Sequence, residues 1–270
     1  MKLGEIFSKL FRRSTHAERT EECVSGGNEC ERRIIYPLSS IRERTVSDIC
    51  GIRMLAAACA DERSRDIREM STDPIRRESL ALIAAARRVG CFVDVKAVPG
   101  TRYTIRTGES EVRIVQQEQI YYKIKNPFAK LHLKKHPREY VLFEHIVHNI
   151  LFPDCRLEFL GVTEDFHEAR LVFRQRAIRA DSRPDDDQIA EYLLKLGLRT
   201  EERYSFGNDV VFVTDVGQDG DNVLLDDDGK LRFIDPIIGF KEPLFGLLSS
   251  TLGNTQKVDD LISAIIPSVL

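Results

Sequence analysis

The sequence predicts an α+β protein, because its residue pattern alternates between helical spacing and strand-like runs. Apolar residues near helical spacing come first, followed by runs rich in β-branched and aromatic residues, an amphipathic helix, and further short strands. A hydrophobic share of 42 % in 270 residues is enough for a substantial core, and a charged share of 31 % is typical of a soluble chain. We expect a small antiparallel sheet joined to a helical part.

Charge and cysteine usage exclude several classes of protein. The net charge is −3 and the sequence pI is about 6.1, which argues against a generally basic nucleic-acid binder. The six cysteines are scattered and form no CxxC pair, so we expect reduced thiols in a cytoplasmic protein. No continuous apolar run reaches the roughly 18 residues that a membrane-spanning helix needs.

Three regions follow from the pattern along the chain. Residues 1–35 are highly charged and contain the flexible tract SGGNE, so weak order is expected there. Residues 36–92 are predicted to be helical, and residues 93–270 to form the main domain. Within the helical region, Pro74 suits a first helical turn and Gly90 suits a stop.

The main domain begins with strands and continues with a one-faced helix. The runs CFVDVKAV, RYTIR, EVRIV and IYYKIK are strand-like, and Pro99-Gly100, Thr107-Gly108 and a polar QQEQ tract separate them. After Pro137, apolar residues recur at helical spacing, with Glu139 at the start of the same face. The predicted elements that follow are the strands LEFLGV and ARLVFRQRAI, the helix QIAEYLLKLG, the strands VVFVTD, NVLL and LRFID, and C-terminal helices.

The acidic segment from Thr214 to Pro236 carries the clearest chemistry. Asn222 and Asp235 are 13 residues apart, at the ends of two apolar runs joined by the turn sequence DDDG. A carboxylate at the end of a buried strand is unfavourable unless it is paired or bound to metal. Asn222 and Asp235 are therefore predicted to hold magnesium against nucleotide phosphates, while Asp215 orients a hydroxyl group.

The order of these elements and residues resembles the protein-kinase superfamily, most closely the reduced kinase-like domains of bacterial and phage polyvalent proteins. The resemblance covers about residues 100–240 and implies a kinase-like fold that uses ATP and Mg²⁺. It places Gly108 in the loop that covers the phosphates, and Lys123 on the α and β phosphates. It also implies that Glu139 orients Lys123, with Glu144 as the alternative.

The resemblance assigns further roles in the same site. The backbone around Gln175 and Ala177 would bind the adenine base. Asn222 and Asp235 would bind magnesium and Asp215 would accept the proton of the acceptor hydroxyl. Lys125 shares the face of Lys123 by the period of two in a strand, and stays an alternative to it.

The sequence also departs from the kinase pattern. The step from Asp215 to Asn222 is seven residues rather than five, so Asp219 and Asp221 are alternatives for the catalytic carboxylate. No Ala-Pro-Glu follows Asp235. The hydroxyl acceptor is therefore open, whether Ser, Thr or Tyr of a protein, a small alcohol or a nucleotide. A nucleotide-binding pseudokinase is an alternative to an active enzyme.

Two rival functions use other residues. Residues 123–138 carry six basic side chains and no acidic one, which would suit a nucleic-acid-binding or interaction module, although the net charge disfavours it. Four of the six histidines cluster, at His132, His136, His145 and His148, and helical HxxxH and HxxH spacings can bind zinc. Pro137 separates the first pair from the second, which disfavours zinc.

Overall fold

The computed structural model describes most of the main domain and part of the helical region before it. The described residues are 51–58, 61, 65–102, 110–129, 137–202, 204–217, 222–240 and 256, and for residues 68, 137–143, 181 and 240 only the backbone is described. The predictions for residues 1–35, for the loop containing Gly108 and for the helices after residue 240 lie outside these ranges, apart from the single helical residue 256.

A helical stretch at residues 51–58 precedes the helices α1 to α4. Local sequence sets the ends of two of these helices. The side chain of Asp73 accepts a hydrogen bond from the N–H of Ile75 at the start of α2, and Gly90 ends that helix with a φ of 77°. Asp185 and Gln188 form a reciprocal capping box at the start of α4. The helices are α1 (Arg65–Met70), α2 (Pro74–Val89), α3 (Pro137–Leu151) and α4 (Asp186–Lys195).

The first sheet has five strands in the order β1-β2-β3-β5-β4, with antiparallel neighbours. Its strands are β1 (Thr101–Arg102), β2 (Ser110–Val115), β3 (Ile120–Lys125), β4 (Leu157–Asp165) and β5 (Glu168–Arg176). Lys123 of β3 lies opposite Phe173 of β5. Because paired residues of an antiparallel sheet project to the same face, these two side chains share a face.

Two smaller sheets follow, and the acidic segment connects one to the other. One has the order β11-β10-β6 and the other β12-β9-β8-β7. The strands are β6 (Ala180–Ser182), β7 (Arg199–Glu202), β8 (Ser205–Gly207), β9 (Val211–Thr214), β10 (Val223–Asp226), β11 (Leu231–Phe233) and β12 (Ile237–Phe240). Thr214 at the end of β9 pairs with Ile237 at the start of β12. The residues just after β9 and just before β12 are thereby brought side by side.

The main core lies between the helices and the lysine-bearing face of the first sheet. The His145 ring of α3 lies 4.9 Å from the Phe173 ring. The carboxamide of Asn149 donates to the carbonyl of Leu157 and accepts from its N–H, both at 2.8 Å, and so fixes the start of β4 to α3. The shared apolar cluster includes Leu82, Ala86, Ile146, Ile150, Phe159, Leu171 and Phe173.

One predicted strand is wrong. The run CFVDVKAV contains a 3-10 turn at Val95–Ala97 and a single isolated bridge between Phe92 and Val162. The physical reason is Asp94, whose side chain accepts from the N–H of Lys96 and turns the chain. Among the described residues, no helix is long and apolar enough to cross a membrane.

Candidate functional site

The site centres on Asp235 and the two lysines of β3. Lys125 donates from Nζ to Oδ1 of Asp235 over 2.7 Å. Lys123 donates from Nζ to the backbone carbonyl of Ile234 over 2.8 Å, and its Nζ lies 3.5 Å from the same carboxylate oxygen. The period of two along β3 puts both ammonium groups on one face, so the structure brings Lys123, Lys125 and Asp235 together.

Lys123 is much less exposed to solvent than the carboxylate of Asp235. The side chain of Lys123 is 8 % exposed, while that of Asp235 is 41 % exposed. Burial lowers the pKa of Lys123, and the opposing charge of Asp235 offsets this only in part. Partial burial raises the pKa of Asp235, but the charges of Lys123 and Lys125 outweigh it and hold that pKa well below its ordinary value. Asp235 is therefore an ionised carboxylate, ready to bind cations.

His148 of α3 supports the strand that leads to Asp235. Its Nε2 lies 3.1 Å from the carbonyl oxygen of Phe233. A carbonyl only accepts, so Nε2 carries the proton and donates. Burial, followed by the charges of Lys123 and Lys125, lowers the pKa of His148 to about 3. The imidazole is consequently neutral near pH 7.

Asn222 lies just before β10, on the strand of the hairpin that pairs with β11, and its side chain contacts the backbone of Asp215. Asn222 donates from Nδ2 to the backbone carbonyl of Asp215 over 2.9 Å. The N–H of Ile234 donates to the carbonyl of Asn222 over 2.8 Å, next to the paired residues Val223 and Phe233. This pairing sets Asn222 and Asp235 at the same, open end of the β10–β11 hairpin. Asp215 has a φ of 63°, a left-handed conformation that Asp and Asn tolerate best after glycine.

The donor atoms at this end fit a hard cation. The nitrogen of the Asn222 amide faces a carbonyl, which leaves Oδ1 as its ligand atom. Amide and carboxylate oxygens are ligands that Mg²⁺ accepts, usually with phosphate oxygens and waters completing the shell. In the described part of the chain, no three His, Cys, Asp or Glu side chains are arranged to hold a metal ion. Of the four histidines considered for zinc, His132 and His136 lie outside the described residues.

The residues predicted to bind the base lie at the end of β5. Gln175 is 2 % exposed, its backbone pairs with Tyr121 and Leu157, and its Nε2 donates to the carbonyl of Cys155 over 2.6 Å. The N–H of Ala177 donates to the carbonyl of Gln119 over 2.8 Å. A contact between Ala177 and a base would therefore use the carbonyl of Ala177.

Several predicted residues are not placed beside Asp235. Glu139 lies on α3, but its side chain is not among those described, and Gly108, Asp219 and Asp221 lie outside the described residues. Glu144 is half-buried on α3. The partners of the Lys123 ammonium given above are thus the Ile234 carbonyl and Asp235.

Sequence reasoning missed three parts of the site. It gave His148 no role beside the acidic segment, although an imidazole on the buried face of an amphipathic helix needs a polar partner. It also left Lys125 as a substitute for Lys123, whereas the structure uses both. The carbonyl of Ile234 has no sequence pattern that would reveal it.

Comparison with known proteins agrees with this geometry. No curated protein and no solved structure matches the chain. Residues 76–242, more than half of the chain, match the family described as "Serine/Threonine/Tyrosine Kinase found in polyvalent proteins". The match begins inside the helical region predicted for residues 36–92, and the boundary at residue 93 stays a prediction. The chain therefore belongs to the kinase family found in polyvalent proteins, and the expected kinase-like α+β fold is confirmed.

Proposed function

We propose that this chain is an ATP- and Mg²⁺-dependent phosphotransferase that moves the γ-phosphoryl group of ATP to a hydroxyl acceptor. The observation that carries the proposal is the position of Asp235, an ionised carboxylate within reach of two lysines at the open end of the hairpin that starts with Asn222. Cations on one side and oxygen ligands on the other are what a metal–polyphosphate complex requires.

Each residue has one role in the proposed site. The Lys123 ammonium has three N–H donors. One is held by the Ile234 carbonyl and a second faces Asp235 over 3.5 Å, which leaves a third for phosphate oxygens. Asn222 and Asp235 would hold Mg²⁺, which neutralises charge on the phosphates when bound. Glu139, by its place on α3, would orient Lys123 in the nucleotide-bound protein. The backbone carbonyls at the end of β5, including that of Ala177, would contact the base.

Asp215 is the catalytic residue of the proposed phosphoryl transfer. The acceptor oxygen forms a bond to the γ-phosphorus, and the bond from that phosphorus to the bridging oxygen breaks. ADP leaves with the electron pair, and the carboxylate of Asp215 takes the proton of the hydroxyl. The acceptor class that we favour is Ser, Thr or Tyr of a protein, as the family description states for its members. A cytoplasmic location fits, since Cys91 and Cys155 are buried and in no disulfide bond.

The test is a calorimetric titration of ATP with and without Mg²⁺. Wild type should bind only with the metal, and Asp235→Asn should lose that binding because a neutral amide is a weaker ligand. The control is Asp228→Asn, an exposed acidic residue in the turn of the same hairpin. Equal Mg²⁺-dependent binding by wild type and Asp235→Asn would overturn the proposal. Binding without γ-phosphoryl release from labelled ATP would instead identify a pseudokinase.

A further inference from the structure

The two lysines that meet Asp235 are held differently. Lys123 donates to a backbone carbonyl over 2.8 Å and stands 3.5 Å from the carboxylate. Lys125 makes the shorter contact with that carboxylate, at 2.7 Å. The side chain of Lys125 is 21 % exposed, against 8 % for Lys123. Lys123 is thus anchored by the backbone and enclosed, while Lys125 is nearer to solvent and paired with a charge.

This difference decides what happens when a cation binds Asp235. A metal ion on either oxygen of the carboxylate competes electrostatically with both ammonium groups, which contact Oδ1. Lys123 keeps its hydrogen bond to the Ile234 carbonyl, which lies outside the carboxylate. The metal ion weakens the ion pair between Lys125 and Asp235, because it draws on the charge of the same carboxylate. A phosphate group that arrives with the metal offers the Lys125 ammonium group a stronger anionic partner.

We propose that Lys125 is a second phosphate-binding lysine, which pairs with Asp235 in the free protein and transfers to the nucleotide phosphates when metal and nucleotide bind together. The inference rests on the proposed function and assigns Lys125 a role separate from that of Lys123. In the free protein Lys125 competes with metal ions for Asp235. In the loaded protein it becomes a ligand of the polyphosphate.

The geometry of β3 permits the transfer. Residues two apart on a strand lie roughly 7 Å apart on the same face, and both ammonium groups already converge on one carboxylate oxygen. A lysine side chain has four flexible methylene groups and a compact charge, so its end can move between neighbouring anions without backbone change. A phosphate group close to Asp235 is therefore within reach of Lys125.

A purely structural ion pair predicts a different result. If Lys125 only stabilised the fold around Asp235, replacing it would weaken metal binding and nucleotide binding together. Movement of Lys125 from Asp235 to phosphate predicts opposite changes. Removal of a competitor strengthens metal binding, and removal of a phosphate ligand weakens nucleotide binding. The sign of the two changes separates the alternatives.

The experiment compares Lys125→Met with wild type in two titrations. In the first, Mn²⁺ alone is titrated without nucleotide, and free Mn²⁺ is followed by its paramagnetic resonance signal. Lys125→Met should bind Mn²⁺ several-fold more tightly. In the second, Mg²⁺-ATP and adenosine are titrated separately, and only the affinity for ATP should fall. We expect a decrease of about tenfold, the change for one charge-assisted hydrogen bond.

The control is Lys195→Met, which removes an ion-paired lysine on α4. Lys195 contacts Glu191 over 3.1 Å and is 66 % exposed, so its loss should alter neither titration. Lys125→Gln is a second variant in case the methionine variant does not fold. It removes the charge and retains an N–H donor to Asp235, and the same two opposite changes are expected.

Two outcomes overturn the inference in distinguishable ways. Suppose that wild type binds Mg²⁺-ATP, and that the affinities for Mn²⁺ and for Mg²⁺-ATP are both unchanged or both lowered in the Lys125 variants. That result would overturn the movement of Lys125 to phosphate and leave the proposed function standing. Wild type that binds no ATP would overturn the proposed function and the transfer to phosphate together. In that case tighter Mn²⁺ binding by Lys125→Met would still show competition for Asp235, without a phosphate role.

Discussion

The imidazole of His148 donates a hydrogen bond to the backbone carbonyl of Phe233 over 3.1 Å and so joins α3 to β11, the strand that leads to Asp235. Phe152, the residue just after α3, stacks on the Phe233 ring with centroids 4.2 Å apart and an interplanar angle of 12°. One polar contact and one aromatic contact thus connect the same two elements. A displacement of α3 would shift the backbone two residues before Asp235, the carboxylate that we propose binds the metal.

Replacing His148 with Phe should destabilise the fold and weaken nucleotide binding. Phe233 is 1 % exposed, so its carbonyl would lose a donor without gaining water. An unsatisfied buried acceptor costs about 1–3 kcal/mol in the free energy of unfolding. His148→Gln retains an N–H donor and should recover part of the loss. Urea unfolding and a Mg²⁺-ATP titration measure both effects, and equal losses in the two variants would contradict a role for the hydrogen bond.

The same histidine makes stability depend on pH in a defined direction. Burial, followed by the charges of Lys123, Lys125 and His145, lowers the pKa of His148 from 6.5 to about 3. Between these values the unfolded state binds more protons than the folded state. The free energy of unfolding therefore falls as pH falls from about 6.5 towards 3, by up to about 1.4 kcal/mol per pH unit for one proton.

Comparison of wild type with His148→Gln isolates this contribution from that of the carboxylates. When the pH is lowered from 7 to 5, the free energy of unfolding should fall by about 2 kcal/mol more in wild type than in the variant, because an amide does not titrate in this range. Parallel pH dependence in the two proteins would show that the imidazole is protonated in the folded state or exposed to solvent.

The strands and helices that carry the site could be predicted because their patterns are local. β2, β3, α3 and β5 each have a clear period, and the turn DDDG joins two apolar runs whose antiparallel pairing brings Asn222 to the end of β11. The relation between Asn222 and Asp235 therefore follows from the spacing alone.

The remaining features depend on contacts between distant residues. β7 has the sequence RTEE with all four residues exposed, so it shows no alternation. β12 forms because β9 offers it an edge. The period of β3 put Lys123 and Lys125 on one face, but could not show that both meet one carboxylate more than 100 residues away. Tertiary pairing of this kind has no local sequence pattern.

Gly161 is required where the chain leaving α2 approaches β4. Its φ is +149°, and a Cβ there would lie 2.0 Å from the carbonyl oxygen of Cys91. Val162 donates to that carbonyl over 3.0 Å, so the backbone cannot retreat without losing the contact. Gly161→Ala should lower the free energy of unfolding by about 1–3 kcal/mol or more.

Gly229→Ala is the matched control for that substitution. Gly229 has a φ of +72° and no atom within 4 Å of a Cβ placed on it, so only the left-handed conformation, roughly 1–2 kcal/mol, opposes the change. Thermal and urea unfolding should show the larger loss for Gly161→Ala. A loss no greater than that of Gly229→Ala would mean that the backbone near Cys91 can move aside.

Asp215 offers a test that separates catalysis from folding. Its φ of 63° is tolerated by Asn but disfavoured for Ala, and its backbone carbonyl accepts from Asn222 whatever its side chain. Asp215→Asn should therefore fold like wild type and bind Mg²⁺-ATP normally. Its rate of γ-phosphoryl transfer should fall by about 10²–10⁴, the range for loss of a general base.

The measurement is ADP release under single-turnover conditions, together with thermal unfolding of Asp215→Asn and Asp215→Ala. Asp215→Ala should lose the same activity and in addition about 1 kcal/mol of stability, because alanine is strained in the left-handed region. Since the asparagine variant leaves the backbone and the Asn222 contact intact, any loss of rate in it comes from the carboxylate. Undiminished transfer by Asp215→Asn would move the catalytic role to Asp219 or Asp221, whose asparagine variants would then be assayed in the same way.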